Sequence, residues 1–174
     1  MTVRQATQAE LDRIEQIYES VHDGEEQGLT TVGWIRNVYP TRKTAEDALD
    51  RQDLFVMEDD GKLVAVAVIN QIQVDVYEQV PWKHLASDSE VMVLHALAVD
   101  LAEAGNGYGK AFVAFYEEYA REHGCMELRI DTNVRNTRAR HLYQKLGYKE
   151  EGVVECVFNG IPDVQLVCME KYLG

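Results

Sequence analysis

The sequence has no long hydrophobic run and no excess of basic residues, and each absence excludes a class of protein. No apolar stretch reaches the roughly 18 to 20 residues that a membrane-spanning helix needs. The 17 lysines and arginines are outnumbered by 30 aspartates and glutamates, which gives a formal net charge of -13. Phosphate binding needs a clustered basic surface, so we expect no nucleic-acid partner. The N-terminus lacks the apolar core of a signal peptide, so we expect a soluble cytoplasmic protein with no membrane partner.

Cysteine is also scarce, and its spacing fits neither a disulfide framework nor a zinc motif. The chain has three cysteines, Cys125, Cys156 and Cys168, and no two of them have a two-residue spacing. The histidines likewise have no ligand-like spacing with one another or with cysteine; they are His22, His84, His95, His123 and His141. We therefore expect reduced thiols and no metal site.

The remaining composition is that of an ordinary globular protein. Of the 174 residues, 46% are hydrophobic and 27% are charged, which suits a single domain over residues 1–174 with a sizeable core. Acidic residues gather in the N-terminal third, namely Glu15, Glu19, Asp23, Glu25, Glu26, Glu46, Asp47 and Asp50. They form either a solvated surface that aids solubility or an approach that attracts a cationic substrate such as an amine.

Hydrophobic periodicity predicts an α/β fold with a mixed sheet. Apolar residues recur at helical spacing over residues 11–22, 34–39, 44–51, 111–123 and 136–146, and the first helix should be broken by Gly24 and Gly28. Strand-like segments cover residues 3–6, 54–57, 63–69, 91–99, 126–131, 151–158 and 164–169. Asp60-Gly61 lies between two apolar runs, which indicates a hairpin. We therefore predict a central mixed sheet flanked by helices, with antiparallel hairpins at both ends.

Glycine is concentrated in one loop between a predicted strand and a predicted helix, Ala104-Gly105-Asn106-Gly107-Tyr108-Gly109-Lys110. Such a loop leaves backbone N–H groups free at the positive end of the helix dipole, where an anion binds well. The dinucleotide pattern G-x-G-x-x-G fails because Lys110 takes the place of its last glycine. The nucleoside-triphosphate pattern G-x-x-x-x-G-K-S/T fails at Ala104 and Ala111.

The loop resembles instead the acyl-CoA loop Q/R-x-x-G-x-G/A of the GNAT superfamily of N-acetyltransferases. Upstream, the segment Leu94-His95-Ala96-Leu97-Ala98-Val99-Asp100 resembles the fourth strand of that family. Downstream, the segment from Asn133 to Tyr148 resembles its second signature, N-x-x-A-x-x-L/F-Y-x-K-x-G-F/Y. The order of predicted elements matches from Val3 to about Tyr172, so the resemblance covers nearly the whole chain.

The resemblance implies that acetyl-CoA is the acyl donor. The backbone of Leu97, Ala98 and Val99 would pair with the pantetheine arm, and the loop amides would hold the pyrophosphate. Ala104 and Asn106 stand where the family usually has basic or amide residues, so phosphate binding would depend on those amides and on Lys110 or Arg140. The full set of expected donor-binding residues is Leu97, Ala98, Val99, Ala104, Gly105, Asn106, Gly107, Tyr108, Gly109, Lys110, Asn133, Asn136, Ala139, Arg140 and Tyr143.

Two side chains are candidates for catalysis. Tyr143 matches the family tyrosine that points at the CoA sulfur, and Asn136, two helical turns before it, either binds pantetheine or caps the helix. His95 is a candidate general base, or else a core histidine. Strand alternation would place its side chain on the same face as Val93, Leu97 and Val99. Glu90, acting through water, is a second candidate base.

The resemblance further implies direct transfer, in a ternary complex, to a primary amine of a small molecule or peptide. The acceptor region would lie among residues 22–51, 71–89 and 158–164, where at least one of four aromatic residues should line the site: Trp34, Tyr39, Tyr77 and Trp82. A non-catalytic acyl-CoA-binding sensor or regulatory module is the alternative. Members of this family often form dimers, so a homodimer is an alternative to a monomer.

Overall fold

The computed structural model describes residues 1–174 and contains seven strands and four α-helices. The strands are β1 (Thr2–Gln5), β2 (Leu54–Asp59), β3 (Lys62–Asn70), β4 (Val91–Val99), β5 (Glu127–Asn133), β6 (Lys149–Phe158) and β7 (Ile161–Tyr172). The helices are α1 (Leu11–Glu26), α2 (Arg42–Asp50), α3 (Tyr108–Glu122) and α4 (Thr137–Lys145). No helix is both long and apolar enough to cross a membrane.

The strands form one mixed sheet, as predicted, in the order β1-β2-β3-β4-β5-β7-β6. Only β4 and β5 are parallel neighbours; all other pairs are antiparallel. The hairpins at both ends turn at Asp60-Gly61 and Asn159-Gly160, and all four of these residues have positive φ. Aspartate or asparagine followed by glycine tolerates that conformation, which matches the right-handed twist of paired strands.

The central parallel pair separates partway along its length. Its register runs from Val91 opposite Glu127 to Leu94 opposite Ile130, after which β4 and β5 continue without pairing. Just before the separation, the Tyr116 hydroxyl of α3 donates to the carbonyls of Met92 (2.6 Å) and Arg129 (3.2 Å). The tyrosine thereby joins the two strands where their ladder ends.

A β-bulge in β4 places the side chains at the end of the strand on the face opposite to the one predicted by simple alternation. Val68 of β3 pairs with His95 and Val66 pairs with Ala98, so β4 carries one extra residue, and Ala96 has a φ of +49°. Leu97 and Val99 consequently pack into the core beneath α3, whereas Val93 faces the other side of the sheet. The prediction that His95 shares a face with Leu97 and Val99 was therefore wrong.

Three local expectations in the N-terminal half were also wrong. Helix α1 continues through the buried Gly24 to Glu26, because one glycine costs a helix only about 1 kcal/mol and the apolar face of α1 packs into the core. Thr41, not Thr44, caps α2; the Thr44 hydroxyl instead accepts from the Thr41 amide at 2.9 Å. Residues 34–39 form a tight turn closed by a bridge between Ile35 and Tyr39, with Asn37 at a φ of +61°, and not a helix. The predicted capping box of Thr7 and Glu10 is present.

Helices cover both faces of the sheet and enclose separate parts of the core. Helices α1 and α2 pack on one face, where buried Ile14 and Ile17 meet Val56 and Val66. Helix α3 packs on the other face, with Phe112 fully buried against the central strands. The gap between β4 and β5 thus interrupts a sheet that is otherwise tightly packed on both faces.

Candidate functional site

A cleft of about 370 Å³ lies where β4 leaves β5, and we call it the loop cleft. It is bordered by the end of β4, by the glycine loop, by α4 and by residues 29–32. Most of the expected donor-binding residues line it: Leu97, Ala98, Val99, Ala104, Gly105, Gly107, Tyr108, Gly109, Lys110, Asn136, Ala139 and Tyr143. The structure therefore brings together residues that span the chain from 97 to 143.

The glycine loop presents bare backbone to this cleft. Gly107 is the N-cap of α3 with a φ of +82°, and Gly105 has a φ of +95°. A Cβ on either glycine would meet no atom within 4 Å, so the space beside the loop is open. The first amides of α3 have no carbonyl of their own helix to bind, and they lie at its positive end. This arrangement fits a pyrophosphate, which the backbone amides would bind.

Three of the expected donor-binding residues lie outside the loop cleft. Arg140 donates to Glu150 (2.7 and 3.0 Å) and to the Val134 carbonyl (2.8 Å). Asn106 is exposed, and its amide lies 3.5 Å from a carboxylate oxygen of Glu103. Asn133 lies deeper, at the end of β5.

Arg138, which the sequence analysis did not single out, lines the loop cleft. It lies four residues before Leu142, which also lines the cleft, so the two side chains share one face of α4. Helical spacing counted from Leu142 would have identified this arginine.

A narrow cavity of about 90 Å³, the neck, continues inward from the loop cleft. The two share Val32, Leu97, Asn136, Ala139 and Tyr143 in their linings. Tyr143 is only 6% exposed, and burial raises the pKa of its hydroxyl above the usual value near 10. The hydroxyl therefore keeps its proton at neutral pH and is able to donate it.

Asn136 both caps a helix and lines the cavities. Its side-chain oxygen accepts from the Ala139 amide at 3.2 Å, so it caps α4. Its side-chain nitrogen donates to the Thr132 hydroxyl at 3.1 Å, which ties the start of α4 to β5. Of the two roles considered for Asn136, helix capping is confirmed, and pantetheine binding stays a prediction.

On the far side of the neck lies a cleft of about 480 Å³, the sheet cleft. Its lining includes Tyr39, Ala96, Asp131 and Phe158, which also line the neck, so the neck lies between the two clefts. Of the four aromatic residues expected near an acceptor, Tyr39 lines the sheet cleft and Trp34 lines the neck. The Trp82 ring instead packs under the Arg129 guanidinium, 4.2 Å away.

His95 lines the sheet cleft and is held by a chain of hydrogen bonds. Its Nε2 lies 2.9 Å from the side-chain oxygen of Asn70, whose amide nitrogen donates to Asp53 at 2.8 Å. An oxygen at that position makes Nε2 the protonated nitrogen and leaves Nδ1 as the proton acceptor. Burial lowers the pKa of His95 to about 4, so the imidazole is neutral at physiological pH.

Asp131 lies at the meeting of the neck and the sheet cleft, and the sequence analysis missed it as a site residue. The Tyr77 hydroxyl donates to its carboxylate at 2.7 Å, and burial raises the pKa of that carboxyl to about 6. A polar residue near the carboxyl end of a central strand was the available signal, because ligands bind at that end in open α/β sheets.

Glu90 is placed away from these cavities. It precedes β4, whereas the cavities open beyond the other end of the β4–β5 ladder. Its carboxylate accepts from the Ser87 amide (2.9 Å) and hydroxyl (2.7 Å) in a capping box. Glu90 is therefore engaged in local structure at the opposite end of the strand.

Much of the N-terminal acidic cluster is paired with two arginines. Arg36 binds Glu19, Asp23 and Glu26, and Arg42 binds Asp12, Glu15 and Glu46. These carboxylates compensate neighbouring cations, which favours the interpretation of the cluster as surface structure.

The site is thus a parallel strand pair that opens beside a glycine loop whose backbone amides suit an anion. The family model for the acetyltransferase (GNAT) family matches residues 13–148 of the chain. The chain belongs to the GNAT family of acetyltransferases, and the resemblance inferred from its motifs is confirmed.

Similar proteins support the same fold. An uncharacterized N-acetyltransferase of Methanocaldococcus jannaschii is 26% identical over 156 residues; the match covers 88% of this chain but only 63% of that relative. The crystal structure of a GNAT-family acetyltransferase from Streptococcus agalactiae has a TM-score of 0.81 and 24% identity, covering 98% of this chain and 94% of its own. A putative acetyltransferase from Salmonella typhimurium, solved with its cofactor acetyl-CoA, has a TM-score of 0.71 and 16% identity, with coverages of 100% and 94%.

Proposed function

We propose that the protein is an acetyl-CoA-dependent N-acetyltransferase that moves an acetyl group to a primary amine of a small molecule or peptide. Transfer would be direct, within a ternary complex. The observation that carries the proposal is the position of Tyr143, which lines both the loop cleft and the neck and whose hydroxyl keeps its proton at neutral pH. The relative that contains acetyl-CoA has the same fold, which supports the choice of donor.

The donor would occupy the loop cleft. The free edge of β4 at Leu97–Val99 offers backbone groups to the pantetheine arm, since β5 does not pair with that edge. The amides at the start of α3 hold the pyrophosphate, and Arg138 and Lys110 add positive charge. An opening lined by backbone and apolar side chains suits the long, largely uncharged arm of this donor.

When bound, acetyl-CoA supplies an activated thioester whose carbonyl accepts the amine. The protein must then provide a proton for the departing sulfur and a proton acceptor for the amine, since an alkyl ammonium has a pKa of about 10. Tyr143 provides the proton, and backbone amides near Ala98 and Val99 are candidates to stabilise the carbonyl oxygen. Neutral His95 remains a candidate proton acceptor, with Nδ1 available.

The test has two stages. Calorimetry with acetyl-CoA should show one binding site per chain, and a thiol-release assay against aliphatic, aromatic and amino-acid amines, polyamines and short peptides should then show turnover with at least one primary amine. Mass spectrometry of the acetylated product confirms the transfer. Binding without thiol release from any amine would support the sensor alternative, and absence of binding at millimolar donor would overturn the proposal. Sedimentation velocity on the same preparation tests for the homodimer.

A further inference from the structure

Asp131 is a carboxylate without a cationic partner inside the passage between the clefts. Other carboxylates in the fold are matched with arginine: Asp100 with Arg13, Glu150 with Arg140, and Asp53 with Arg51. Asp131 accepts a hydrogen bond from the neutral Tyr77 hydroxyl, and no salt bridge reaches it. Its remaining lone pairs are available to a ligand.

The groups that face Asp131 come from every element around it, and none of them is cationic at neutral pH. Tyr77 comes from the 3₁₀ turn at Asp75–Gln79, and Tyr39 from the turn at 34–39. The others are Tyr143 from α4, Cys156 from β6 and Cys168 from β7. His95 from β4, which is neutral at this pH, lines the same cleft. The Arg51 side chain borders the same cleft but is held by Asp53 at 2.8 Å.

A charged carboxylate in such surroundings is costly unless something positive binds it. The open cleft beside it, about 480 Å³ in volume, admits a small molecule or the end of a peptide. Its wall carries the aromatic rings of Tyr39 and Phe158, whose centroids lie 5.6 Å apart. The site therefore matches an ammonium group attached to an apolar body.

We propose that Asp131 binds the ammonium group of the acceptor and removes a proton from it, so that the acceptor enters as a cation with an apolar group beside its amine. This inference rests on the proposed N-acetyltransferase function. It makes Asp131 the residue that contacts the reacting nitrogen, at the inner end of the sheet cleft and next to the neck that Tyr143 lines.

The proton and electron balance follows from that placement. The Asp131 carboxylate takes one ammonium proton, and the freed nitrogen lone pair forms the C–N bond to the acetyl carbon. The C–S bond breaks, its electron pair leaves on sulfur, and sulfur takes the Tyr143 proton. The second nitrogen proton restores the Tyr143 hydroxyl, and the Asp131 proton passes to solvent through the sheet cleft.

The pH profile separates the two candidate bases. Since the pKa of Asp131 is raised to about 6, kcat/KM should rise with pH around 6, as the carboxylate forms, and then level off. It should fall only near the pKa of the amine itself, about 10, because the ammonium form binds. With His95 as sole base the rise would lie near pH 4, where its pKa is placed.

The experiment uses the primary amine with the greatest thiol release. Asp131→Asn keeps an oxygen that accepts from Tyr77 but cannot take a proton, so kcat/KM should fall at least 100-fold, with acetyl-CoA binding unchanged. Tyr77→Phe removes the donor that lowers the pKa of Asp131, so the rise should move above pH 6. Glu78→Gln, an exposed change next to Tyr77, should leave rate and profile unchanged.

The outcomes separate the two levels of the proposal. No thiol release by the unaltered protein with any amine overturns the proposed function and this inference with it. An active protein whose Asp131→Asn variant keeps its rate within threefold, or keeps the rise near pH 6, overturns the Asp131 assignment alone. Should Asp131→Asn fail to fold, the Tyr77→Phe profile decides: an unmoved rise contradicts the assignment.

Discussion

Leu94 and Ile130 are the last residues at which β4 and β5 pair, and every cavity of the candidate site lies beyond them. The Tyr116 hydroxyl joins both strands immediately before that point through the Met92 and Arg129 carbonyls. The opening is therefore held at its closed end by a fully buried side chain, which keeps the separation of the strands fixed.

Replacing Tyr143 by phenylalanine should reduce turnover at least tenfold while acetyl-CoA still binds. The hydroxyl is the proton donor for the sulfur, whereas the ring, which packs against Tyr148 at 5.9 Å, is retained. Thiol-release kinetics measure kcat and calorimetry measures donor affinity. Unchanged turnover would remove Tyr143 from the mechanism.

Replacing His95 by glutamine should lower kcat by no more than about tenfold across neutral pH, because the Asp131 carboxylate takes the ammonium proton, whereas loss of the proton-transfer residue itself would cost roughly 100-fold or more. The amide keeps the bond to Asn70 but cannot take a proton at the position of Nδ1. Because the pKa of His95 is lowered to about 4, the loss should be uniform from pH 6 to 9. Rates measured over that range check this. Unaltered rates would favour a packing role, and loss of the rise near pH 6 would assign that rise to His95.

Replacing Gly107 by alanine should weaken acetyl-CoA binding about tenfold or more and destabilise the fold by about 1 kcal/mol, the usual cost of left-handed backbone. The new methyl would meet no protein atom but would stand beside the amides that hold the pyrophosphate. Gly124→Ala is the matched control, since Gly124 lies just beyond the other end of α3 with a similar φ of +74° and equally open surroundings. Its thermal unfolding should shift equally and its donor affinity should not change; equal loss of affinity in both would contradict the loop assignment.

Replacing Glu127 by glutamine should stabilise the protein at alkaline pH. Burial, with Glu170 nearby, raises the pKa of Glu127 to about 8, so the folded state favours the protonated carboxyl. The stability that protonated Glu127 contributes to the folded state is fully present below the pKa of this carboxyl in the unfolded chain, near 4.5. It is lost as pH rises through about 8, the pKa in the folded state.

The neutral amide avoids that loss, so the melting temperature of Glu127→Gln should exceed that of the unaltered protein by about 2–4 °C at pH 8.5, for roughly 1 kcal/mol. The difference should vanish near pH 5. Glu118→Gln on the exposed face of α3 is the control, and it should change the melting temperature neither at pH 8.5 nor near pH 5. Equal melting temperatures at pH 8.5 would show that Glu127 is not held as the neutral acid.

Features set by local sequence were predictable. The two-residue turns need positive φ, which Asp60-Gly61 and Asn159-Gly160 supply, and the hairpin at Asp60-Gly61 followed from that requirement. The glycine loop was recognisable because three closely spaced glycines before an amphipathic segment have few other uses. The long apolar run of β4 identified the central strand for the same local reason.

Features set by contacts between distant segments were not predictable. The bulge at Ala96 arises from the register against β3, and nothing about an alanine indicates it. Asp131 receives its hydrogen bond from Tyr77, 54 residues earlier in the chain, in a turn without clear periodicity. Arg140 was expected to help bind phosphate, but its partner Glu150 lies on β6 and draws it away from the loop cleft.

The neck shares part of its wall with each cleft, whereas the two clefts share no residue with each other. Two reactants that meet through such an aperture need not pass one another on arrival or on departure. Steady-state kinetics should accordingly be sequential with no compulsory order: each product would inhibit competitively against the reactant that uses its own entrance.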